Sequence, residues 1–418
     1  MGDKTLITGA AVFDGTGSAP ERLDVLVEGN RIVKVGEDVS PTDRDGALVI
    51  DAEGATLLPG LVDGHTHLGF GSTIEHTSSR RDPEAEKILL MAHGARVMLD
   101  SGITSAYSGG NRMPHAEVAA RKAFAEGWLP GPRFRAASWE GSVSKQLPGV
   151  FKFPGIENRE SQPQAVAAFV EEMAGIGVDI VKLNLSGESA LDPMTSRIIQ
   201  FTDEEVAAAA ATATQHDIWL SAHAHSADAI KLGVRNGVRT IYHCTFADEE
   251  ALDLLEEARD RIFVAPTPGI IYAHLHDTDQ PMDDGMEVVP THDSVRKVVP
   301  QLHARGVRLV IGGDYGFPFN PVGKNLRDLQ LFVEWFGLTP AEALRAGTWN
   351  GAQLMGFGER LGLVREGYLA DLVLVEGDPL ADISLMQDQS RLTMVMKDGW
   401  MHKTPAARIE ARQAVGVR

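Results

Sequence analysis

The chain has 418 residues, 43% hydrophobic and 23% charged, which excludes a disordered tail, a collagen-like repeat and a small disulfide scaffold. A formal charge of −19 would repel phosphate backbones and anionic lipid headgroups, so we expect neither nucleic acid nor membrane partners. The single cysteine, Cys244, fits a reducing compartment. With no visible secretory leader or uncharged apolar run of membrane-spanning length, we expect a soluble, cytoplasmic protein.

The two ends of the chain share a β-strand pattern. Four short β-rich runs carry it, at residues 24–28, 31–35, 371–375 and 392–396. The pair Gly29-Asn30 separates the first two runs and Asp398-Gly399 follows the last, and both pairs are typical of tight hairpin turns. Neither end is long enough to bury a core alone, so we expect residues 1–58 and 364–418 to pair as one small β domain.

Between these ends, residues 59–363 alternate apolar strand-like runs with amphipathic helical stretches, which predicts an α/β fold. Eight runs are predicted strands: 61–67, 103–107, 133–137, 179–185, 218–223, 240–243, 261–265 and 307–312. Thr202 and Pro340 begin two of the predicted helices. Eight strands with helices between them favour a (β/α)8 barrel over an open doubly wound sheet. Such a barrel carries its chemistry at the C-terminal ends of the strands.

Unusual polar residues lie at those strand ends. His65 and His67 are two residues apart on one strand, so both point the same way and can chelate one divalent cation. Lys182 is a lone cation in an apolar strand. Burial would favour its neutral amine, which could take up carbon dioxide and become a carbamate that bridges two metals.

Three more candidates follow along the chain. His223 and His243 each lie near a strand end, and Asp314 follows the last strand after two glycines. Taken singly, each of these residues is more often an ordinary polar side chain than a ligand. Together, imidazoles, a lysine and a carboxylate at five strand ends predict a binuclear hydrolase site, whose nitrogen and oxygen ligands suit zinc.

The motif at residues 58–67 resembles the opening metal motif of the amidohydrolase superfamily. Further stretches resemble the branch of imidazolonepropionase-like proteins, Xaa-Pro dipeptidases and ochratoxinase-type amidases: residues 126–133, 181–183, 222–225, 312–314 and 367–374. The resemblance covers nearly the whole chain. It implies a (β/α)8 barrel at 59–363 and a composite β-sandwich domain built from 1–58 and 364–418.

The resemblance also implies roles for single residues. His65, His67 and Asp314 would bind the more buried metal, His223 and His243 the other, and N6-carboxylysine at Lys182 would bridge them. The expected cofactors are therefore two divalent metal ions per chain, most simply zinc. His225 matches a position that contacts substrate, so it is not counted as a ligand. A homo-oligomer acting on a small-molecule substrate is expected.

The residues beside His243 depart from the pattern of the dipeptidases, which commonly have Glu and Gly there. If His243 points inward, strand alternation turns Tyr242 outward toward the helices, where it would only pack. Cys244 is a candidate for lining the pocket. Asn184 shares the inward face with Lys182 and is a candidate substrate contact.

The expected reaction is hydrolysis of a C–N bond, most simply an amide in an N-acyl amino acid, a dipeptide, or an aryl amide or urea. A hydroxide bridged by the two metals would attack the carbonyl, and Asp314 would pass its proton to the departing nitrogen. The alternatives are a cyclic amidohydrolase, a heteroaromatic deaminase or a non-enzymatic scaffold. Deaminases of this superfamily usually use one metal without a bridging lysine, so Lys182 favours the amidase.

Specificity is predicted from loop residues. Aromatic and imidazole side chains could form a pocket above the strand ends: Trp139, Phe151, Phe153, Tyr272, His274, His276, Phe317 and Phe319. Arg112 and His115 are candidate ligands for a substrate carboxylate. Residues 266–290 are predicted to form either a lid or a plain solvated loop.

Overall fold

A computed structural model describes residues 4–37, 39–70, 84–142, 151–152, 161–187, 196–277 and 288–409. Both ends of the chain enter one eight-stranded sheet. Its strands are β1 (Lys4–Val12), β2 (Glu21–Glu28), β3 (Arg31–Gly36), β4 (Leu48–Asp51), β5 (Ala55–Pro59), β16 (Leu372–Glu376), β17 (Leu392–Lys397) and β18 (Trp400–Lys403). The sheet order is β18-β17-β16-β5-β1-β2-β3, with β4 paired to β1, so the antiparallel β5–β16 contact joins the two ends of the chain.

Both predicted hairpins are confirmed. Strands β2 and β3 pair antiparallel around Gly29, and β17 and β18 pair antiparallel around Asp398 and Gly399. All three turn residues have positive φ, as tight hairpin turns require. Apolar side chains from both ends of the chain, including Ile7, Leu57 and Leu374, form the buried core of this sheet.

The middle of the chain forms two parallel sheets. Their strands are β6 (Leu61–Thr66), β7 (Ile103–Ser108), β8 (Arg133–Arg135), β9 (Ala137–Ser142), β10 (Phe151–Lys152), β11 (Ile180–Asn184), β12 (Trp219–Ser226), β13 (Thr240–Phe246), β14 (Phe263–Ala265) and β15 (Arg308–Leu309). All eight predicted strands are present with shifted ends. The third is longer than predicted and is divided into β8 and β9.

Hydrogen bonds connect the two parallel sheets. The Gly64 amide donates to the Ile311 carbonyl at 2.8 Å, and the His67 amide donates to the Tyr315 carbonyl at 2.7 Å, so β6 lies beside the chain that follows β15. At the other edge, β8 and β9 are consecutive, and they pair with β7 and β11 respectively. This arrangement of parallel strands fits a TIM-like barrel.

The described α-helices, apart from the first, which is between β3 and β4, lie between or after the parallel strands of the middle region. They are α1 (Pro41–Arg44), α2 (Glu84–Asp100), α3 (Pro114–Ala125), α4 (Pro163–Ile176), α5 (Asp203–Gln215), α6 (Ala227–Arg235), α7 (Glu249–Glu257), α8 (Pro268–His276), α9 (Val288–Ala304), α10 (Arg327–Phe336), α11 (Pro340–Arg345) and α12 (Gly351–Leu354). Short 3-10 turns lie at Leu68–Phe70, Ile383–Gln387 and Ala406–Arg408, and a π-helical turn at Ala346–Asn350.

The predicted helix starts at Thr202 and Pro340 are confirmed. Thr202 precedes α5, where its hydroxyl accepts from the Glu205 amide and the Glu205 carboxylate accepts from the Thr202 amide. Thr339 caps α11 in the same way. In the described part of the chain, no helix is both long and apolar enough to cross a membrane.

A buried ion pair joins the parallel strands to the terminal sheet. The Arg133 guanidinium on β8 donates to Asp371 Oδ2 at 2.7 Å and also to Asp398. The Asp371 side chain is fully buried, and Arg133 is 14% exposed. A buried carboxylate without its cation is poorly solvated. Loss of Arg133 would therefore leave Asp371 as an unpaired buried charge and lower the stability of the fold.

We therefore expect Arg133→Ala to lower the free energy of unfolding by about 3–5 kcal/mol, measured by urea denaturation. Arg22→Ala is the matched control, since Arg22 pairs with Glu53 at 2.7 Å while both side chains are about two-thirds exposed. That variant should change stability little. If the two substitutions lower the free energy of unfolding equally, the buried Arg133 contact contributes no more to stability than an exposed ion pair does.

Candidate active site

The first two predicted ligands, His65 and His67, lie at the end of β6 and converge on Asp314. The His67 Nε2 atom is 2.8 Å from Asp314 Oδ1, and the His65 Nε2 atom is 3.5 Å from the same oxygen. A Cβ atom on Gly312 would lie 2.5 Å from the backbone nitrogen of His65. Only a glycine at position 312 therefore allows its backbone to approach that of His65 so closely.

His65 is a buried imidazole whose two ring nitrogens have no hydrogen-bond partner among the described residues. Burial lowers the pKa of His65 well below its ordinary value, and the same cause lowers the pKa of His243, so both rings are neutral. Buried polar atoms in native proteins are nearly always paired. A neutral imidazole is also the form that binds divalent metals, so the chemistry of these groups fits a cation beside His65.

A second cluster joins three histidines from two neighbouring strands. The ring centroids of His223 and His225, both on β12, each lie 4.4 Å from that of His243 on β13. The ligand atoms of these three residues lie within 4.8 Å of one another, and so do those of His65, His243 and Asp314. Since His243 belongs to both groups, the two clusters form one site.

Hydrogen bonds hold the other histidine rings in place. The four contacts are His67 Nδ1 to the Gly110 carbonyl at 2.8 Å, His223 Nε2 to the Gly187 carbonyl at 3.0 Å, His225 Nδ1 to Thr245 Oγ1 at 2.7 Å, and His243 Nδ1 to Thr267 Oγ1 at 2.7 Å. Such contacts determine which ring nitrogen faces a metal. Sequence reasoning did not identify these partners: Gly110, Gly187 and Thr267 follow strands at no recognisable spacing, and Thr245 lies inside β13.

Lys182 is buried at the same site. Its side chain enters from β11, and its Nζ atom donates to the Gly109 carbonyl at 2.8 Å and lies 4.3 Å from the centroid of the Tyr242 ring. Two residues further along β11, Asn184 is buried opposite His223 in the strand register. The Asn184 Oδ1 atom has no hydrogen-bond partner among the described residues, which fits the predicted substrate contact.

The prediction that Tyr242 points outward is wrong. Its ring is fully buried in the same apolar cluster as Val62 and Phe263, and stacks on His65 with centroids 3.7 Å apart. Alternation along β13 holds as far as Tyr242, which faces the interior. At His243 the backbone φ is +69°, so the chain leaves the extended conformation and the imidazole turns back into the site.

Cys244 belongs to another apolar cluster, the one that contains its neighbour Ile241. It is fully buried, and burial raises the pKa of its thiol to about 12. A thiol with so high a pKa stays protonated at neutral pH, so Cys244 is a poor nucleophile there.

Buried carboxylates that the sequence did not single out fix the backbone around the ligands. Asp63 accepts from the His65 amide at 2.8 Å and from Asn325, and Asp328 accepts from the Gly312 amide at 2.9 Å and the Tyr315 hydroxyl at 2.8 Å. Burial raises the pKa of Asp63 to about 6 and that of Asp328 to about 7. Asp63 was detectable, since it lies within the histidine motif, whereas nothing in the sequence marks Asp328.

Glu117 supports the opposite side of the site. Its carboxylate accepts from Ser108 Oγ and Asn111 Nδ2, both at 2.9 Å, and from the Ala137 amide at 2.7 Å. It therefore ties the end of β7 to the start of β9. Glu117 is fully buried, and burial raises the pKa of its carboxyl group to about 7.

Aromatic side chains border the site next to His67. Phe70 stacks on the His67 ring with centroids 4.5 Å apart, and Phe317 lies 5.7 Å from His67 and 5.3 Å from Phe70. The Arg112 guanidinium lies 5.3 Å from the centre of the Phe70 ring. The structure thus places two predicted substrate contacts, Arg112 and Phe317, beside a metal-ligand candidate, together with Phe70, which was not predicted. Phe319 extends the aromatic group from Phe317, with centroids 5.6 Å apart.

The remaining predicted substrate contacts stay predictions, and the structure shows the following neighbours for them. Tyr272 is on α8, where its ring packs against Trp335 and the Arg327 guanidinium of α10. His115 is exposed on α3, and no contact joins it to the site within the described ranges. His274 packs against Phe319, His276 against Tyr272, and the Trp139 indole donates to the Arg112 carbonyl.

Two predictions concern residues only partly described. The stretch 266–290 contains α8 and the start of α9, while residues 278–287 lie outside the described residues, so the lid interpretation stays a prediction. The Phe151 backbone is in β10, but its side chain and all of Phe153 also lie outside them.

Comparison with known proteins gives consistent matches. The pattern of the family described as "Amidohydrolase family" matches residues 56–401. An ochratoxinase of Aspergillus niger is 28% identical over 382 residues, covering 84% of this chain and 76% of the relative, and an imidazolonepropionase of Cupriavidus necator is 23% identical over 394 residues, covering 90% of each. The crystal structure of a Xaa-Pro dipeptidase with bound methionine superposes with a TM-score of 0.83 at 26% identity, covering 96% of this chain and 100% of that one.

The raised pKa of Glu117 predicts a pH-dependent stability. Between its ordinary pKa of 4.5 and about 7, the folded state keeps a proton that the unfolded state releases, so the contribution of Glu117 to stability falls as pH rises through this range. Glu117→Gln cannot ionise. We expect its stability relative to wild type to increase by about 3 kcal/mol between about pH 4.5 and pH 8, measured by urea denaturation.

Glu257→Gln is the control, because Glu257 is exposed on α7 and should show no such trend. A constant difference between Glu117→Gln and wild type across the pH range would mean that the Glu117 carboxylate ionises normally in the folded protein.

Proposed function

Because the chain belongs to the amidohydrolase family, we propose that it is a metal-dependent hydrolase that cleaves an amide C–N bond with two divalent cations. The observation that carries this proposal is the convergence of buried imidazoles and a carboxylate beside a buried lysine. These residues come from five separate parts of the chain, and no hydrophobic driving force explains their meeting. Groups that are costly to bury unpaired are retained together where a ligand compensates them.

The donor set fits two cations. His65, His67 and Asp314 would hold one, and His223 and His243 the other. Lys182, carboxylated to N6-carboxylysine, would bridge them, and the mixed nitrogen and oxygen ligands suit zinc. When bound, such cations supply an activated water and polarise a carbonyl group.

Asp314 is assigned the proton transfers of the reaction. Its Oδ1 atom lies within 3.5 Å of both histidines of β6, and Asp314 is 92% buried. In this position the carboxylate accepts a proton from the attacking water and delivers it to the departing nitrogen. Asn184 and His225 border the same space and would contact the substrate.

The substrate proposed is an N-acyl amino acid, a dipeptide, or an aryl amide or urea. The aromatic rings of Phe70 and Phe317 offer an apolar surface to an aryl or bulky side chain, and Arg112 offers a cation to a carboxylate. The names of two relatives, an ochratoxinase and a Xaa-Pro dipeptidase, support this choice.

A cyclic amidohydrolase or a heteroaromatic deaminase is the alternative. The imidazolonepropionase match favours the cyclic substrate. The buried Lys182 favours the amidase, since a bridging ligand is needed only when two cations are bound. Ammonia release would identify a deaminase.

The proposal also covers the architecture. We propose that the parallel strands within 59–363 close into a (β/α)8 barrel, and that 1–58 and 364–418 form a composite β-sandwich domain. A cytoplasmic location and a homo-oligomeric state remain predictions of the same proposal.

The bridging role of Lys182 can be tested by substitution. We expect Lys182→Ala to bind fewer than two zinc ions per chain and to lose at least about 100-fold in kcat/KM. This loss is larger than the usual effect of removing a residue that only hydrogen-bonds to a metal ligand. Metal analysis and an assay against N-acyl amino acids, dipeptides and aryl amides or ureas measure both effects.

Short carboxylic acids should partly restore activity to Lys182→Ala, because they can occupy the position of the carbamate. Lys122→Ala, which removes a lysine of α3 that lies over the Trp128 ring, is the control and should behave as wild type. A fully active Lys182→Ala protein would exclude the binuclear mechanism.

The two histidines of β12 are proposed to have different roles, which metal analysis and kinetics can distinguish. We expect His225→Ala to retain about two metals per chain while its KM rises, because His225 is proposed to contact substrate. His223→Ala should lose a metal. If instead His225→Ala loses the metal, then His225 is the ligand and the assignment of His223 is wrong.

A further inference from the structure

Glu140 is a largely buried carboxylate that the proposed mechanism does not use. It lies on β9, its side chain is 19% exposed, and its Oε1 atom is 3.8 Å from His67 Nδ1. That nitrogen has one hydrogen to donate, and the Gly110 carbonyl accepts it at 2.8 Å. Within the part of the chain that the structure describes, Glu140 therefore receives no hydrogen bond.

The position of Glu140 places this carboxylate at the edge of the active site. Its Cα is paired with that of Lys182 in the β9–β11 register, and a Cβ atom on Gly110 would lie 2.6 Å from Glu140 Cγ. The glycine leaves the room that the Glu140 side chain occupies beside His67. A carboxylate held this way, partly open to water and without a protein donor among the described residues, is free to accept hydrogen bonds from a ligand that enters the site.

The cationic side chain of Arg112 lies near the same part of the site as Glu140, and a hydrogen bond from β9 holds its backbone. The indole of Trp139, next to Glu140 on β9, donates to the backbone carbonyl of Arg112 at 2.9 Å. The Arg112 guanidinium lies over Phe70, which stacks on His67. Besides Asp314, the surroundings of His67 thus include the anionic side chain of Glu140 and the cationic side chain of Arg112.

We propose that Glu140 binds the ammonium group of the substrate, so that the enzyme prefers amides whose acyl part carries a free amine. This inference rests on the proposed function and narrows it to free dipeptides and aminoacyl amides. Such a substrate has an ammonium on the acyl side of its amide, and a dipeptide has a carboxylate on the other side, which complements Glu140 and Arg112. Charge-assisted N–H to carboxylate bonds are among the strong hydrogen bonds of proteins.

Two other roles for Glu140 make different predictions. A residue that orients His67 would accept its Nδ1 proton, but Gly110 already does so at 2.8 Å. If Glu140 were a metal ligand, its substitution would lower the number of metal ions bound per chain. The experiment therefore measures metal content together with substrate preference.

The test uses two substrates that differ only in the amine, alanyl-phenylalanine and propionyl-phenylalanine, with the zinc-loaded full-length protein. We expect wild type to favour the alanyl substrate by at least about tenfold in kcat/KM, the effect of one charged hydrogen bond. In Glu140→Gln the ratio of the two kcat/KM values should fall toward one, mainly through a higher KM for the alanyl substrate, while metal content stays near two per chain.

Glu126→Gln is the matched control, because Glu126 is exposed at the end of α3, and this variant should keep the wild-type ratio. The inference is overturned if the ratio of the two kcat/KM values is near one in wild type, or if Glu140→Gln leaves the ratio unchanged. In both cases, cleavage of either substrate still supports the proposed amidase. Loss of metal from Glu140→Gln would also overturn it, by making Glu140 part of the metal site. If neither substrate nor any other amide is cleaved, the proposed function fails and the inference fails with it.

Discussion

The site depends on two residues whose backbone leaves the extended conformation. His243 and Asp314 have φ values of +69° and +61°, in a region that costs a residue with a side chain about 1–3 kcal/mol. In a continued strand, alternation would turn the His243 side chain away from the site. The strained conformation brings it within ligand distance of His65 instead. Such strain persists only where the surroundings enforce it, as the Thr267 hydrogen bond to His243 and the close approach of Gly312 do here.

The second constraint is burial. Among the described residues, neither ring nitrogen of His65 has a hydrogen-bond partner, and three buried carboxylates have raised pKa values: Asp63 on β6, Glu117 on α3 and Asp328 on α10. Such groups reduce stability unless the folded state gains something from them. The carboxylates bind backbone amides, so they fix the positions of the ligand-bearing strands before any cation arrives. Pre-organisation of this kind lowers the cost of binding a cation in one geometry.

Much of the fold could be predicted from the sequence, because the periodicity of apolar residues and the turn and cap signals are local. The hairpin at Gly29 and the helix start at Thr202 are examples. The ligand candidates could be found too, since His65 and His67 form a compact motif. Tyr242 was misplaced because the sequence gives no sign of the left-handed backbone at His243, where strand alternation ends. Glu140 carries no signal, since its role depends on a packing contact with a distant glycine.

We propose that two cations bind at the strand ends and are joined through a modified Lys182. X-ray diffraction at the zinc absorption edge, from crystals grown with zinc and bicarbonate, tests it most directly. We expect two anomalous peaks, one beside His65 and Asp314 and one beside His223 and His243, with electron density extending beyond Lys182 Nζ toward both. A single peak, or none, with an unmodified amine bound to the Gly109 carbonyl would contradict it.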